Sequence, residues 1–151
     1  MNESLLMLDI DGVMNSTSSC LQHRSGEVFT TGACTALRLL TNRHKETKLV
    51  ITSTRRRAGL VAMRHLFTRN LLGNLSDRII GLTPILTDHD SDEFREEEIT
   101  QYLEARPAWH RLLILDDKPI TGPLARHWVG TDPDVGLTLK CANQASPHLR
   151  P

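Results

Sequence analysis

The stretch Leu-Leu-Met-Leu-Asp-Ile-Asp-Gly-Val, residues 5–13, decides the fold. Four apolar residues run directly into Asp9, and Asp11 and Gly12 follow after one further apolar residue. A short apolar run that is closed by a turn signal predicts a buried strand, and a strand that is apolar on both faces suits the middle of a parallel sheet. Since open α/β sheets bind ligands at the carboxyl ends of their strands, we expect both carboxylates to lie at a ligand site.

Strands and helices are predicted to alternate along the rest of the chain. Further strands are predicted by short apolar runs at 49–51, 79–81, 112–115 and 127–130. Helices are predicted by apolar residues at helical spacing over 32–46, 58–70 and 95–106. The polar, turn-prone residues 14–31 are interpreted as a loop or a small hairpin. The alternation indicates an α/β fold, with a mostly parallel five-stranded sheet and helices on both faces.

Length and composition are typical of a soluble globular protein. The chain has 151 residues, and we expect one domain over residues 1–151. Its net charge is zero, which gives no general attraction to nucleic acid or to a membrane surface. No apolar run reaches the length of a membrane span, and three scattered cysteines fit a reducing compartment. We therefore predict a cytoplasmic protein that does not bind membranes.

Polar side chains follow three of the predicted strands at the point where each strand ends. They are, in chain order, Asp9 and Asp11, then Thr52 and Ser53, then Asp116 and Asp117. If these strands are neighbours, four carboxylates and two hydroxyls meet in one crevice. Such a density of carboxylates is tolerable only around a hard cation, and oxygen ligands with open positions suit Mg²⁺. The sequence therefore predicts a magnesium site at this crevice.

The order of these motifs resembles that of the haloacid dehalogenase (HAD) superfamily of phosphohydrolases. Further segments are similar to one branch, the HAD domain of Swiss-army-knife RNA repair proteins: Val50 to Arg56, Gly81 to Pro84, Arg95-x-x-Glu98-Ile99, Leu115 to Asp117, and Thr131 to Thr138. The resemblance spans about residues 5–138 and implies a three-layer Rossmann-like fold with a minimal cap or none. One position departs from the pattern, because Arg55 stands where that branch usually has Trp.

The resemblance also implies roles for the acidic residues. Asp9 would be the nucleophile that forms an aspartyl-phosphate, and Asp11 would be the general acid and then the general base. Mg²⁺ would be bound by Asp9, by the backbone carbonyl of Asp11 and by the acidic pair. Within that pair, Asp117 is favoured as the direct ligand and Asp116 as its support.

Hydroxyl and cationic residues complete the implied site. Thr52 or Ser53 would hydrogen-bond a phosphoryl oxygen, with Thr52 favoured, although both residues could simply end a strand. Arg95 would balance the charge on the transferring phosphoryl group, the alternative being a surface position at a helix start. Arg55 and Arg56 are expected to bind phosphates of the substrate, the alternative being a solvated basic turn.

An acidic loop over residues 86–93 offers a second set of cation ligands, namely Asp88, His89, Asp90 and Asp92. Their odd spacing and expected exposure favour a solvated loop instead.

The favoured function is that of a Mg²⁺-dependent phosphomonoesterase with a phosphorylated substrate as its partner. Neither 14–31 nor the segment between the second and third motifs is long enough for a cap domain, so we expect an open crevice. An open crevice admits the end of a long chain, which favours a terminal phosphate on RNA or DNA. The alternatives are a metal-dependent nuclease, a phosphatase of small metabolites or nucleotides, and a non-catalytic phosphate-binding module. The sequence leaves the oligomeric state open.

Overall fold

A computed structural model describes residues 3–89 and 91–151. Within these residues the strands are β1 (Glu3–Leu8), β2 (Thr47–Ile51), β3 (Ile79–Leu82), β4 (Trp109–Asp116) and β5 (Trp128–Gly130). They form one five-stranded sheet in the order β3-β2-β1-β4-β5, and every pairing is parallel. The α/β prediction is confirmed, and the apolar run over residues 5–8 lies in the central strand, β1.

Helices connect the strands. They are α1 (Thr17–His23), α2 (Thr31–Arg43), α3 (Leu60–Arg69), α4 (Gly73–Ser76), α5 (Arg95–Glu104) and α6 (Leu139–Ala145). Short 3₁₀ helices cover Thr54–Ala58, Ala125–His127 and Ser146–Leu149. In the described part of the chain, no helix combines the length and the apolar character that a membrane crossing requires.

The prediction of a loop or hairpin over residues 14–31 is wrong in part, because α1 lies inside this segment. A capping box starts the helix: Ser16 accepts a hydrogen bond from the backbone of Ser19, and the Ser19 side chain accepts one from the backbone of Ser16. None of the residues of α1 is buried. The segment therefore carries no apolar periodicity, which is the signal that revealed the longer helices.

Helices cover both faces of the sheet because side chains of β1 alternate between two apolar clusters. Leu6 and Leu8 are fully buried in one cluster, together with residues of α2, α3 and α6. Leu5 and Met7 are fully buried in the other cluster, with residues of α5. At about 1.5–3 kcal/mol for each buried aliphatic side chain, this double burial fixes β1 as the centre of the sheet.

The strand register brings the carboxyl ends of three strands together. Leu8 is paired with Ile51 of β2 and with Leu115 of β4. The residues that follow these positions are Asp9, Thr52 and Asp116, so they emerge side by side. No regular element occurs between β3 and α5 in the described residues, and only α1 lies between β1 and α2. Among the described residues, α1 is therefore the only regular element that these two connections place beside this edge of the sheet.

Candidate active site

A polar pocket of about 220 Å³ opens where β1 and β4 end. Five of the residues that line it carry an acidic or cationic group named in the sequence analysis: Asp9, Asp11, Asp92, Arg95 and Asp117. Three further lining residues were not predicted as site residues: Thr54, Ser91 and Lys118. The pocket therefore gathers residues from the ends of several elements into one charged site.

Three aspartates form a cluster that could hold a metal ion. Asp9, Asp116 and Asp117 each offer a carboxylate oxygen, and these oxygens all lie within 4.8 Å of one another. Burial raises the pKa of Asp9 well above its usual value, and the negative charge of Asp116 raises it further. Burial also raises the pKa of Asp116 to about 6 although Arg95 acts in the opposite direction. Such crowded carboxylates favour a cation, and a donor set of oxygens alone fits Mg²⁺.

The two members of the acidic pair differ in their surroundings. Asp116 is fully buried, and its oxygens accept hydrogen bonds from the backbone of Lys118 at 2.9 Å and from Arg95 Nη1. Asp117 is half-buried and lines the pocket, which Asp116 does not. Gly12 makes room for this arrangement, because a Cβ atom there would stand 2.6 Å from Asp117 Oδ2. Asp117 is thus the more accessible member of the pair.

Arg95 brings a positive charge into this cluster. It is the first residue of α5 and only 5% exposed, and its Nη1 lies 3.4 Å from Asp9 Oδ1. The same nitrogen donates to Asp116 and, at 3.2 Å, to the hydroxyl of Thr52. Its buried Nε has no hydrogen-bond partner in the described structure. Buried donors are rarely left without a partner, and Arg95 also lines the pocket, so its guanidinium is placed beside the space where an anionic ligand would bind.

The strand-end hydroxyls are placed differently from one another. Thr52 is fully buried, and its hydroxyl accepts the hydrogen bond from Arg95. Ser53 is also fully buried, and its hydroxyl accepts a hydrogen bond from the backbone of Arg55 at 3.2 Å, which caps the 3₁₀ helix. Neither residue lines the pocket, whereas Thr54 does. The sequence could have indicated Thr54, because it is the next residue with a hydroxyl group in the run Thr-Ser-Thr.

Asp11 stands outside the carboxylate cluster and is held by two donors. Arg55 contacts both oxygens of Asp11 through its Nε and Nη2 atoms, at 2.9 to 3.1 Å. Asn15, which is only 1% exposed, donates to Asp11 Oδ1 at 2.8 Å and accepts from the backbone of Gly12 at 2.9 Å. A Cβ atom on Gly26 would lie 1.9 Å from Arg55 Nη2, so this glycine leaves space for the guanidinium. The network fixes the orientation of the Asp11 carboxylate.

Arg56 is a structural residue, and we correct its assignment to substrate binding. Its side chain is 3% exposed and forms an ion pair with Glu98, which is fully buried. Its other hydrogen bonds go to the backbone carbonyls of Thr52, Ser53, Thr83 and Pro84. The guanidinium therefore joins the chain after β2 to the chain after β3 and to α5, and it has no surface to offer to a substrate phosphate.

We expect Arg56→Ala to lower the free energy of unfolding by about 3–5 kcal/mol, because it leaves Glu98 buried without its partner. Arg69→Ala is the matched control: its side chain is 60% exposed and its ion pair with the equally exposed Glu27 spans 3.8 Å, so we expect a loss of about 0.5 kcal/mol or less. Urea unfolding of both variants measures the difference. Equal losses in the two variants would contradict a structural role for the buried pair.

The acidic loop contributes one residue to the pocket. Asp92 lines it, and its Oδ2 atom lies 3.4 Å from Nζ of Lys118. The negative charge of Asp92, and after it that of Asp117, raises the pKa of Lys118. Asp88 and His89 do not line the pocket, and Asp90 lies outside the described residues. The sequence could have indicated Lys118 as a site residue, because it follows the acidic pair directly.

Comparison with known proteins gives a family match. A family model described as the HAD domain in Swiss Army Knife RNA repair proteins matches residues 5–142. No curated protein and no solved structure matches the chain. The matched range runs from β1 into α6 and includes every residue of the pocket.

Proposed function

The chain belongs to the HAD domain family of Swiss Army Knife RNA repair proteins, and from this premise we propose that it is a Mg²⁺-dependent phosphomonoesterase with Asp9 as its nucleophile. The observation that carries the proposal is the buried cluster of Asp9, Asp116 and Asp117, joined by Arg95 at the edge of a polar pocket. Carboxylates beside a fixed cation are what transfer of a phosphoryl group to an aspartate requires.

In the proposed first step, a carboxylate oxygen of Asp9 attacks phosphorus and the bond from phosphorus to the ester oxygen breaks. The leaving oxygen takes a proton from Asp11, and Asp9 becomes an aspartyl-phosphate. In the second step Asp11 takes a proton from water, which attacks phosphorus. The bond between phosphorus and Asp9 breaks, inorganic phosphate leaves, and both aspartates return to their initial states.

Positive charge and hydrogen bonds support the proposed phosphoryl transfer. Arg95 lines the pocket and would stabilise the charge that develops on the phosphoryl oxygens. Thr52 would act by holding Arg95, because its hydroxyl is already engaged with that side chain. Thr54 and Lys118 line the pocket and supply a hydroxyl and a second cation.

The cluster fits a magnesium ion. We assign Asp9 and Asp117 as the side-chain ligands and Asp116 as their support, because the oxygens of Asp116 already accept hydrogen bonds from Arg95 and from the backbone of Lys118. Mg²⁺ bound there would offset the repulsion between the phosphoryl oxygens and Asp9. The side chain of Asp11 is not a member of the cluster, which fits an acid–base role better than metal binding.

We expect Arg55 to position Asp11, and the leaving group reveals this role. An alkyl leaving group needs a proton, whereas p-nitrophenolate does not, and general acid catalysis contributes about 10²–10⁴-fold. Arg55→Ala should therefore lower kcat/KM about tenfold on an alkyl phosphate and much less on p-nitrophenyl phosphate. Arg69→Ala is the control and should change neither rate, because Arg69 ends α3 and does not line the pocket. Equal losses on both substrates would count against positioning of the acid.

For the substrate we propose a terminal phosphate on a nucleic acid. The proposal rests on the family and on the absence of a cap domain from the described residues beside the site. Arg55 and Arg56 do not support it, because Arg55 contacts Asp11 and Arg56 is buried.

Phosphate release tests the proposed function. The substrates are RNA and DNA with 3′- or 5′-phosphates, mononucleotides and sugar phosphates, each with Mg²⁺, and Asp9→Asn is the control. We expect inorganic phosphate from the wild type and none from the variant. Shortened chains without released phosphate would indicate a nuclease instead.

A further inference from the structure

Helix α1 presents one largely exposed apolar side chain, that of Leu21, beside the half-buried Cys20. None of its residues is buried, and Leu21 is 76% exposed. Helices in proteins are stabilised mainly by burying an apolar face, which α1 does not do. The capping box that begins at Ser16 and the hydrogen bond from the backbone of Thr17 to Pro133 O at 3.0 Å hold it in place. The helix is therefore fixed by polar contacts while Cys20 and Leu21 remain accessible.

These side chains line a groove that continues from the catalytic pocket. The groove has a volume of about 400 Å³, and its walls include Cys20, Leu21 and Pro133. Asp11 and Asp117 line both the groove and the catalytic pocket. A molecule that reaches from one to the other therefore lies against Asp11, Asp117 or both.

The groove lies on the side of the site where the leaving group must be. If Asp9 attacks phosphorus, the oxygen that leaves must lie beside the acid that protonates it, which is Asp11 in the proposed function. The rest of the leaving group then continues past Asp11. Because Asp11 forms part of the groove wall, the groove is the adjoining space that can receive this group.

The chemistry of the groove favours an uncharged group directly beside the scissile phosphate. The described lining of the groove has no Lys or Arg. Arg55 is close enough to interact with Cys20, but its guanidinium already binds Asp11. A second phosphate in the groove would find no free cation in the described lining, whereas a nucleoside presents a flat apolar face and hydroxyl groups. We propose, as an inference that rests on the proposed function, that this groove binds the terminal nucleoside that carries the scissile phosphate.

Substitution of Leu21 tests the proposal without touching the catalytic residues. Leu21→Asp should lower kcat/KM for adenosine monophosphate about tenfold, the equivalent of losing one buried aliphatic contact. The rate on acetyl phosphate should stay within about twofold, because its leaving group is too small to reach Leu21. Val61→Asp is the matched control: Val61 is 68% exposed on α3 and lines no part of the groove. It should change neither rate.

A binding measurement separates this inference from the proposed function. In an Asp9→Asn background, which cannot form the aspartyl-phosphate, calorimetry gives the Kd of adenosine monophosphate and of inorganic phosphate. Leu21→Asp should weaken the first about tenfold and leave the second unchanged. Equal effects on both ligands, or none on either, would overturn the nucleoside groove. If the wild type releases no phosphate from any substrate, the proposed function fails, and this binding comparison still decides the inference.

Discussion

Replacing Asp9 by Asn abolishes turnover: we expect kcat to fall at least about 1,000-fold, because the amide is not a nucleophile and no second route to the intermediate exists in the proposed mechanism. Phosphate release under saturating Mg²⁺ measures the loss. Residual activity above a few per cent of the wild type would contradict the assignment of Asp9.

The stability of the same variant shows whether its loss of activity is chemical. Burial and the charge of Asp116 oppose ionisation of Asp9 in the metal-free protein, and this raises its pKa. A neutral amide of similar volume removes that repulsion. We therefore expect metal-free Asp9→Asn to be at least as stable to urea as the wild type. A large loss of stability would mean that the variant is inactive because it does not fold.

Removal of the metal has the second large effect. Activity should be lost in EDTA, return with Mg²⁺, and fall at least about 100-fold in Asp117→Ala. Calcium should inhibit, because its looser and higher coordination misplaces the reacting oxygens. Asp92→Asn is the matched control, since Asp92 lines the same pocket but is not part of the carboxylate cluster. It should keep the Mg²⁺ dependence of the wild type.

A stability measurement accompanies the rates. Mg²⁺ should raise the melting temperature of the wild type and of Asp92→Asn but not that of Asp117→Ala, because a ligand stabilises only a protein that binds it. Full activity in EDTA would contradict the metal site. A normal response of Asp117→Ala to Mg²⁺ would contradict the choice of this residue as a ligand.

The fold and the acidic cluster could be predicted because local sequence determines them. The apolar run before Asp9 is buried on both faces of β1, and that burial places the strand at the centre of the sheet. Parallel pairing of β1 with both β2 and β4 then brings the ends of these strands beside Asp9. The sequence predicts the strands and their end residues, whereas the order of the strands in the sheet comes from the structure.

Side-chain direction could not be predicted in this way. Arg55 and Arg56 are consecutive and chemically identical, yet one binds Asp11 and the other is buried against Glu98. The difference depends on how the 3₁₀ helix after β2 turns and on partners 44 and 42 residues away. Likewise α1 is a helix that lacks a buried face, so hydrophobic periodicity could not reveal it.

The most direct test of the account is detection of a phosphate group covalently bound to Asp9. The protein is mixed with a substrate that carries a labelled terminal phosphate, quenched in acid within one turnover, digested and analysed by mass spectrometry. We predict a hydroxylamine-sensitive acyl phosphate on Asp9 that requires Mg²⁺ and accumulates in Asp11→Asn with p-nitrophenyl phosphate, because that variant lacks the base for hydrolysis. Release of labelled inorganic phosphate with no labelled protein, or with the label on another residue, would contradict nucleophilic catalysis by Asp9.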